Sequence, residues 1–430
     1  MTRPVPVTRS RLLAVVIALA MGAAPDWAGA GDAAGNPAAK PAPLELKRPA
    51  SPQPWHRYKV DTQGSAWPQG DWAAYSTLAR IVTPPPEEPL HFATPIEGDP
   101  VRGRQLAFDR SRGGSCVACH IFGKYTPPQP GNVGPDLSTV SAGRSDDYLF
   151  NYVYDPRLFN KTSIMPPWGA HRIFNVAEIK DVVAFLKSLK EPHSFKDPED
   201  NPATRMPPKE TRDNLDPTEN PAMFGFDHGR SVFGRAGASG KSCASCHAAP
   251  ETQFKTWVAR MPRYEPRLRK VVGVEEFITR HARATTGDEM PLESADNLGL
   301  SVYLHNLANG ARINPDLSSA GAKQALKHGR ELLSRKIGQL NMACNDCHVT
   351  HANQWARGQY LPLFKGTIAH FPTWRTGRAD IWDIRKRFQW CNVSVRANEL
   401  PPDAKEYGDL ELALAVINKG EKINSPGIRQ

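Results

Sequence analysis

Three motifs of the form Cys-x-x-Cys-His hold six of the seven cysteines of this 430-residue chain. In such a motif the two thiols bond covalently to a haem, and the histidine becomes a ligand of its iron. Disulfides are common among exported cysteines, but adjacent pairs that are each followed by histidine disfavour them. The motifs therefore predict three covalent haem c groups, with attaching cysteines and iron-binding histidines Cys116, Cys119 and His120, then Cys243, Cys246 and His247, and then Cys344, Cys347 and His348.

Cys391 is the cysteine left outside these motifs, 43 residues after His348. A leftover thiol in an exported protein is buried, paired between molecules, bound to metal or reactive. Arg387 precedes it by four residues, which places both on one side of a helix. Positive charge is dense here, in the run Arg375, Arg378, Arg385, Lys386 and Arg387. We predict that Cys391 binds the third iron and is reactive toward an anionic substrate; an inert buried thiol and a purely electronic ligand are the alternatives.

The sixth iron ligands of the other two haems are predicted from spacing and loop context. Met165 lies 45 residues after His120 on a proline-rich loop, and His171 is its alternative. His281 lies 34 residues after His247 and 19 before Leu300, as Cys391 lies 19 before Leu410. Met290 is the rival to His281. A methionine ligand is typical of a high-potential electron-transfer haem.

The elements that must position these groups recur three times. Gly103-Arg104, Gly229-Arg230 and Gly329-Arg330 precede their motifs by 12, 13 and 14 residues, counted from arginine to first cysteine. Each segment then closes on an apolar helical stripe: Ile179, Val182, Val183 and Leu186; Leu300, Tyr303, Leu304 and Leu307; Leu410, Ala413, Leu414 and Ile417. Two helices around a covalent haem predict an all-α protein of three consecutive cytochrome c domains, in which the haem adds buried surface to small cores.

The predicted domain plan starts with an exported leader. A basic start, a short apolar run and Ala28-Gly29-Ala30 predict a signal peptide over residues 1–30, and hence a periplasmic protein. No stretch is long and apolar enough to predict a membrane span, and no nucleic-acid partner is expected. The remaining predictions are a Pro/Ala-rich tether (31–95), a first haem segment (96–190), a linker (191–220), and second and third haem segments (221–312 and 313–430).

Particular motifs carry a family resemblance. In the C-terminal half they are ENPAM (219–223), SCASCH (242–247), GQLN (338–341), FPTWR (371–375), RFQWCN (387–392), GEKI (420–423) and PGIR (426–429). Through them this half resembles the dihaem cytochrome SoxA. Residues 98–190 resemble its partner SoxX through GNVGPDL (131–137), IMP (164–166) and VVAFL (182–186). The whole resembles the two SoxXA subunits fused, with SoxX first.

The resemblance implies an L-cysteine S-thiosulfotransferase, which joins thiosulfate oxidatively to a cysteine of a SoxYZ-type carrier protein. Electrons would pass through c-type haems to a small soluble c-type cytochrome. It also implies that Cys391 is the active-site ligand, able to hold an extra sulfur, and that Arg387 binds the substrate. The chain departs from the family at ITRHAR (278–283), where His281 replaces the usual cysteine. Alternatives are a trihaem electron carrier, a thiosulfate dehydrogenase forming tetrathionate and, less favoured, a haem peroxidase.

Overall fold

The computed structural model describes residues 85–110, 115–208, 216, 218–397 and 399–429. The predicted signal peptide (1–30) and residues 31–84 of the predicted tether lie outside these residues. The described end of the tether packs along the first haem segment, where the backbone N–H of Leu90 donates to the Asn151 side chain (2.7 Å). Among the described residues, no helix is long and apolar enough to cross a bilayer.

Helices make up most of the secondary structure. The first segment has α1 (Pro100–Phe108), α2 (Asp146–Tyr154) and α3 (Val176–Ser188). The second has α4 (Ala222–Gly234), α5 (Cys243–Cys246), α6 (Pro250–Ala259), α7 (Val274–Thr285) and α8 (Ala295–Leu307). The third has α9 (Ala320–Ser334), α10 (Ile384–Ser394) and α11 (Lys405–Ile417). Several begin where the sequence supplies a capping side chain; Asn175 and Glu178, for example, form a capping box at α3.

The first and last helices of each segment cross in close contact, α1 on α3, α4 on α8 and α9 on α11. At each crossing a glycine meets a backbone carbonyl: Gly103 at Asp181, Gly229 at Gly299 and Gly329 at Asp409. A Cβ on these glycines would lie 1.9, 2.0 and 2.0 Å from the carbonyl oxygens. The three Gly-Arg pairs of the sequence therefore mark crossings that admit no side chain.

The predicted apolar stripes of the closing helices face the core, as expected from their 3.6-residue period. Ile179 and Val183 on α3 are fully buried, and Leu300 on α8 and Leu410 on α11 are nearly so. Leu307 and Ile417, the last members of their stripes, are only partly buried. The prediction of three closing amphipathic helices is confirmed.

Short strands accompany the helices. The all-α prediction did not include these strands. They form a hairpin of β1 (Arg263–Glu265) and β2 (Lys270–Val272), another of β3 (Trp355–Ala356) and β4 (Gln359–Tyr360), and a sheet of order β6-β5-β7 with β5 (Thr373–Arg375), β6 (Asp380–Trp382) and β7 (Gly427–Arg429). Hairpin β1–β2 precedes α7 as β5–β6 precedes α10, at a constant offset of 110 residues (373 minus 263, and 384 minus 274). The second and third segments thus repeat one scaffold.

The first and third segments are joined by direct hydrogen bonds. The N–H of Asn132 donates to the Trp355 carbonyl (3.0 Å), and the N–H of Trp355 donates to the Asn132 side chain (2.8 Å). From the predicted linker, the buried Arg205 donates to the Arg357 carbonyl (3.0 Å) and lies over the Trp355 ring. Arg205 also donates to the Pro130 carbonyl of the first segment (3.3 Å), so this linker residue bridges the two segments.

Candidate functional site

In the first segment the motif histidine has a fixed orientation. Nδ1 of His120 lies 2.8 Å from the Pro135 carbonyl, so the N–H donates there and leaves Nε2 for a metal. Met165 packs against the same apolar cluster as Cys116. The alternative ligand His171 is fully buried, with Nδ1 2.8 Å from the Gln339 carbonyl of the third segment.

In the second segment two imidazoles lie close together. The ring centroids of His247 and His281 are 6.2 Å apart. A haem iron bound to one nitrogen of each ring at about 2 Å would fit that separation. The rival Met290 is buried in an apolar cluster, and its backbone carbonyl accepts a hydrogen bond from Thr279. This arrangement supports His281 as the ligand and Met290 as a core residue.

In the third segment the motif histidine repeats the geometry of the first. Nδ1 of His348 lies 2.7 Å from the Pro362 carbonyl, and its ring stacks on Phe364. Burial lowers the pKa of His348 to about 4. The imidazole is therefore neutral near pH 7, the form that binds a metal.

Cys391 lies on α10, and the residue that precedes this helix caps its first turn. The Asp383 side chain caps the helix by accepting the N–H of Lys386 at 2.7 Å. Cys391 is near enough to both haem-attaching thiols of its segment to contribute to their raised pKa values, after burial as the main cause. The structure thus brings Cys391 together with Cys344 and Cys347.

The basic run before Cys391 divides into two sets. Arg385 is buried and bonds to Glu411 (2.7 Å) and Glu276 (2.9 Å). Lys386 bonds to Asp380 at 2.7 Å. The positive charge of these two residues is therefore neutralised by carboxylates, contrary to our expectation that the whole run serves an anion.

Arg375 and Arg387 remain beside Cys391. Burial lowers the pKa of Arg375 to about 9; the charge of Arg387 lowers it further, whereas the Cys391 thiol favours the charged guanidinium. Nε of Arg375 and Nη1 of Arg387 are buried, with no hydrogen-bond partner among the described residues. Arg375 is thus near enough to Cys391 to interact electrostatically with it, and Arg387 lies one helical turn before it.

Sequence reasoning missed Arg429, which lies on β7 beside Arg375 in the sheet register. Its Nη2 is 3.1 Å from Nδ1 of His370. The one signal for it was its place in the PGIR motif, because pairing between residues 54 positions apart leaves no local trace.

The donor sets fit haem c. All seven cysteines are free of disulfides in the structure, so each motif has two thiols for attachment. His120 and His348 each have Nδ1 bonded to a carbonyl, which orients Nε2 as the iron ligand. Cys119 also contributes to the raised pKa of Cys347, so the first and third motifs lie close together.

Comparison with known proteins gives partial matches along the chain. Family models match residues 100–190 (cytochrome c) and 228–313 (SoxA/TsdA, cytochrome c domain). The L-cysteine S-thiosulfotransferase subunit SoxA of Paracoccus pantotrophus is 30% identical over 222 residues, 51% of this chain and 75% of that protein. The same subunit of Chlorobaculum thiosulfatiphilum is 29% identical over 211 residues, 49% of this chain and 72% of that protein. The crystal structure of SoxXA from P. pantotrophus aligns with a TM-score of 0.48 and 26% identity, over 52% of this chain and 84% of that chain.

Proposed function

The chain belongs to the SoxA family of c-type cytochromes, and from that relationship we propose that it is a periplasmic L-cysteine S-thiosulfotransferase. The substrate is thiosulfate, and the acceptor is a cysteine of a SoxYZ-type carrier protein. The observation that carries the proposal is Cys391, placed beside two haem-attaching thiols and bordered by Arg375 and Arg387 with buried, unfilled donors.

The reaction joins the terminal sulfur of thiosulfate to the carrier sulfur. A carrier thiol and a thiosulfate dianion give a carrier S–S–SO₃⁻ group, one proton and two electrons. Haem c, when bound by these residues, would supply an iron that accepts electrons one at a time. Arg387, one helical turn before Cys391, attracts the dianion and orients it. Cys391 is the iron ligand and the sulfur that meets the substrate.

Cytochrome c domains imply covalently bound haem c, and our proposal assigns three haems, one to each segment. Their proposed sixth ligands are Met165, His281 and Cys391. The first segment acts as a SoxX-type electron acceptor, supported by its direct packing on the third segment through Asn132 and Trp355. A small soluble c-type cytochrome then takes the electrons away.

The decisive test is conjugation of thiosulfate to a purified SoxYZ-type carrier, followed by intact mass. The wild-type chain, first shown by intact mass to carry three haems, should add thiosulfate to the carrier cysteine with cytochrome reduction. Cys391→Ser should abolish the adduct while a chemical reductant still reduces the other haems. Reduction that needs no carrier and yields tetrathionate would instead identify a thiosulfate dehydrogenase. If Cys391→Ser conjugates thiosulfate at the wild-type rate, the thiosulfotransferase proposal is wrong and a trihaem electron carrier is the remaining function.

A further inference from the structure

Two partly buried arginines near Cys391 each have one buried guanidinium N–H without an acceptor among the described residues. These donors are Nε of Arg375, on β5, and Nη1 of Arg387, on α10. A buried donor without an acceptor is costly, and more so when it carries charge. Such a pair is stable only where an anion completes it.

The nearby carboxylate that could neutralise Arg375 is already engaged. Asp380 lies opposite Arg375 in the antiparallel register of β5 and β6. Its Oδ2 accepts from Nζ of Lys386 (2.7 Å) and from Nε1 of Trp382 (3.2 Å). Because Lys386 already forms an ion pair with Asp380, the positive charge of Arg375 remains available to an anion.

The second segment provides an internal comparison, because the same scaffold recurs there 110 positions earlier. His281 stands where the third segment has Cys391. Glu265 replaces Arg375, and its Oε2 lies 3.9 Å from Nη2 of Arg263. Phe277 replaces Arg387, and its ring stacks on His281 at 5.2 Å. Both segments carry a haem motif, but only the third has arginine at these two matching positions. The role of Arg375 and Arg387 is therefore specific to the chemistry at Cys391.

We propose that Arg375 is a second substrate-binding residue, which together with Arg387 holds the oxyanion end of thiosulfate and leaves its terminal sulfur facing Cys391. This inference rests on the proposed function and adds a residue to its site. Two planar guanidinium groups can donate to separate oxygens of one sulfonate and so fix its orientation. A single arginine would leave the anion freer to rotate. Arg378, exposed and stacked over Trp390, lies outside the pair.

The test measures anion binding by the haem-loaded protein, with thiosulfate and sulfate as probes in calorimetric titrations. Arg375→Gln should weaken both affinities about ten- to a hundredfold, the loss expected for one charge-assisted contact. Arg375→Lys keeps the positive charge but lacks the planar set of guanidinium donors, so it should recover only part of the affinity. In turnover with the carrier, Arg375→Gln should raise KM far more than it lowers kcat. Arg267→Gln, which removes an exposed arginine from the matching hairpin of the second segment, is the control and should bind as the wild type does.

Three other results would contradict either this inference or the proposed function. If Arg375→Gln binds both anions like the wild type, or shifts only the absorption spectrum of the third haem, Arg375 serves the haem carboxylates and the inference is wrong. Absence of anion binding by the wild type overturns it as well. If the wild type binds both anions in an Arg375-dependent manner yet never conjugates thiosulfate to the carrier, the anion site stands and the proposed function fails.

Discussion

At the scale of single residues, position on a helix decides which charges serve the site. Residues 387 and 391 are four apart on α10 and share a face. Arg385, two residues before Arg387, lies on a different side of the helix, where it forms ion pairs with Glu276 and Glu411. Although burial acts against its charge, these carboxylates raise the pKa of Arg385 above its usual value. Periodicity alone could have separated Arg385 from Arg387 in the sequence.

The His247–His281 pair leads to a spectroscopic prediction. With ring centroids 6.2 Å apart, the pair should give a low-spin bis-histidine signal in the electron paramagnetic resonance spectrum of the oxidised protein. His281→Ala removes one imidazole and should convert that signal to high spin. Met290→Leu is the matched control; it conserves an apolar core side chain and should leave the signal in place. The opposite pattern, with loss of the low-spin signal only in Met290→Leu, would make Met290 the ligand.

At the scale of elements, helix crossings set where each haem motif sits. The first helix of each segment crosses the last with a glycine against a carbonyl, which holds the two helices on either side of the motif. The short strands then lead into α7 and α10, the helices that carry the proposed iron ligands His281 and Cys391. Sequence patterns revealed the helices but not the strands, because strands of two or three residues carry too few positions for a period-two signal.

The crossing of α4 and α8 gives a stability prediction with an internal control. At Gly229 a Cβ would lie 2.0 Å from the Gly299 carbonyl oxygen, whereas at Gly234, on the same helix, nothing lies within 4 Å. Gly229→Ala should therefore lower the free energy of unfolding by about 1–3 kcal/mol, as overpacking does. Gly234→Ala should be neutral or slightly stabilising, because alanine favours the helix. Thermal unfolding followed by far-ultraviolet circular dichroism measures both, and equal effects would refute the crossing argument.

At the scale of the whole molecule, the segments meet through buried polar groups. His171 and Gln339 exchange two hydrogen bonds of 2.8 Å between the first and third segments. Lys336 adds a bond of 2.8 Å to the Ser163 carbonyl, close to Met165. Because the proposed donor and acceptor segments lie in one chain, each has a high effective concentration for the other, and these contacts fix their relative placement.

The interface of the second and third segments should be sensitive to pH through Glu275. Burial raises its pKa to about 8, and the charges of Asp383 and Glu411 add to this, while Ser301 donates a hydrogen bond to the carboxylate. A carboxyl whose folded pKa is raised contributes stability below its unfolded pKa and loses it as pH rises through the folded value.

Glu275→Gln should therefore flatten the pH dependence between about pH 5 and 8. Relative to wild type, the variant should gain stability as pH rises, by at most about 1.4 kcal/mol per pH unit. Thermal midpoints at pH 5, 6, 7 and 8 measure the difference. Glu331→Gln, at an exposed glutamate on α9, is the matched control. A constant difference across this range would show that Glu275 does not take up a proton on folding.

The sequence by itself determined the covalent chemistry and the local elements. CxxCH motifs, Gly-Arg pairs and apolar helical stripes act over a few residues, so haem attachment sites, largely helical structure and family resemblance could be predicted from them. Only the tertiary structure decided which carboxylates neutralise Arg385 and that Arg375 lies near Cys391. Arg385 meets Glu276 across 109 residues, and Arg375 reaches the site because a hairpin places it beside α10. Such partners depend on how segments pack, and the free energy of burying a charge depends on the partner it finds.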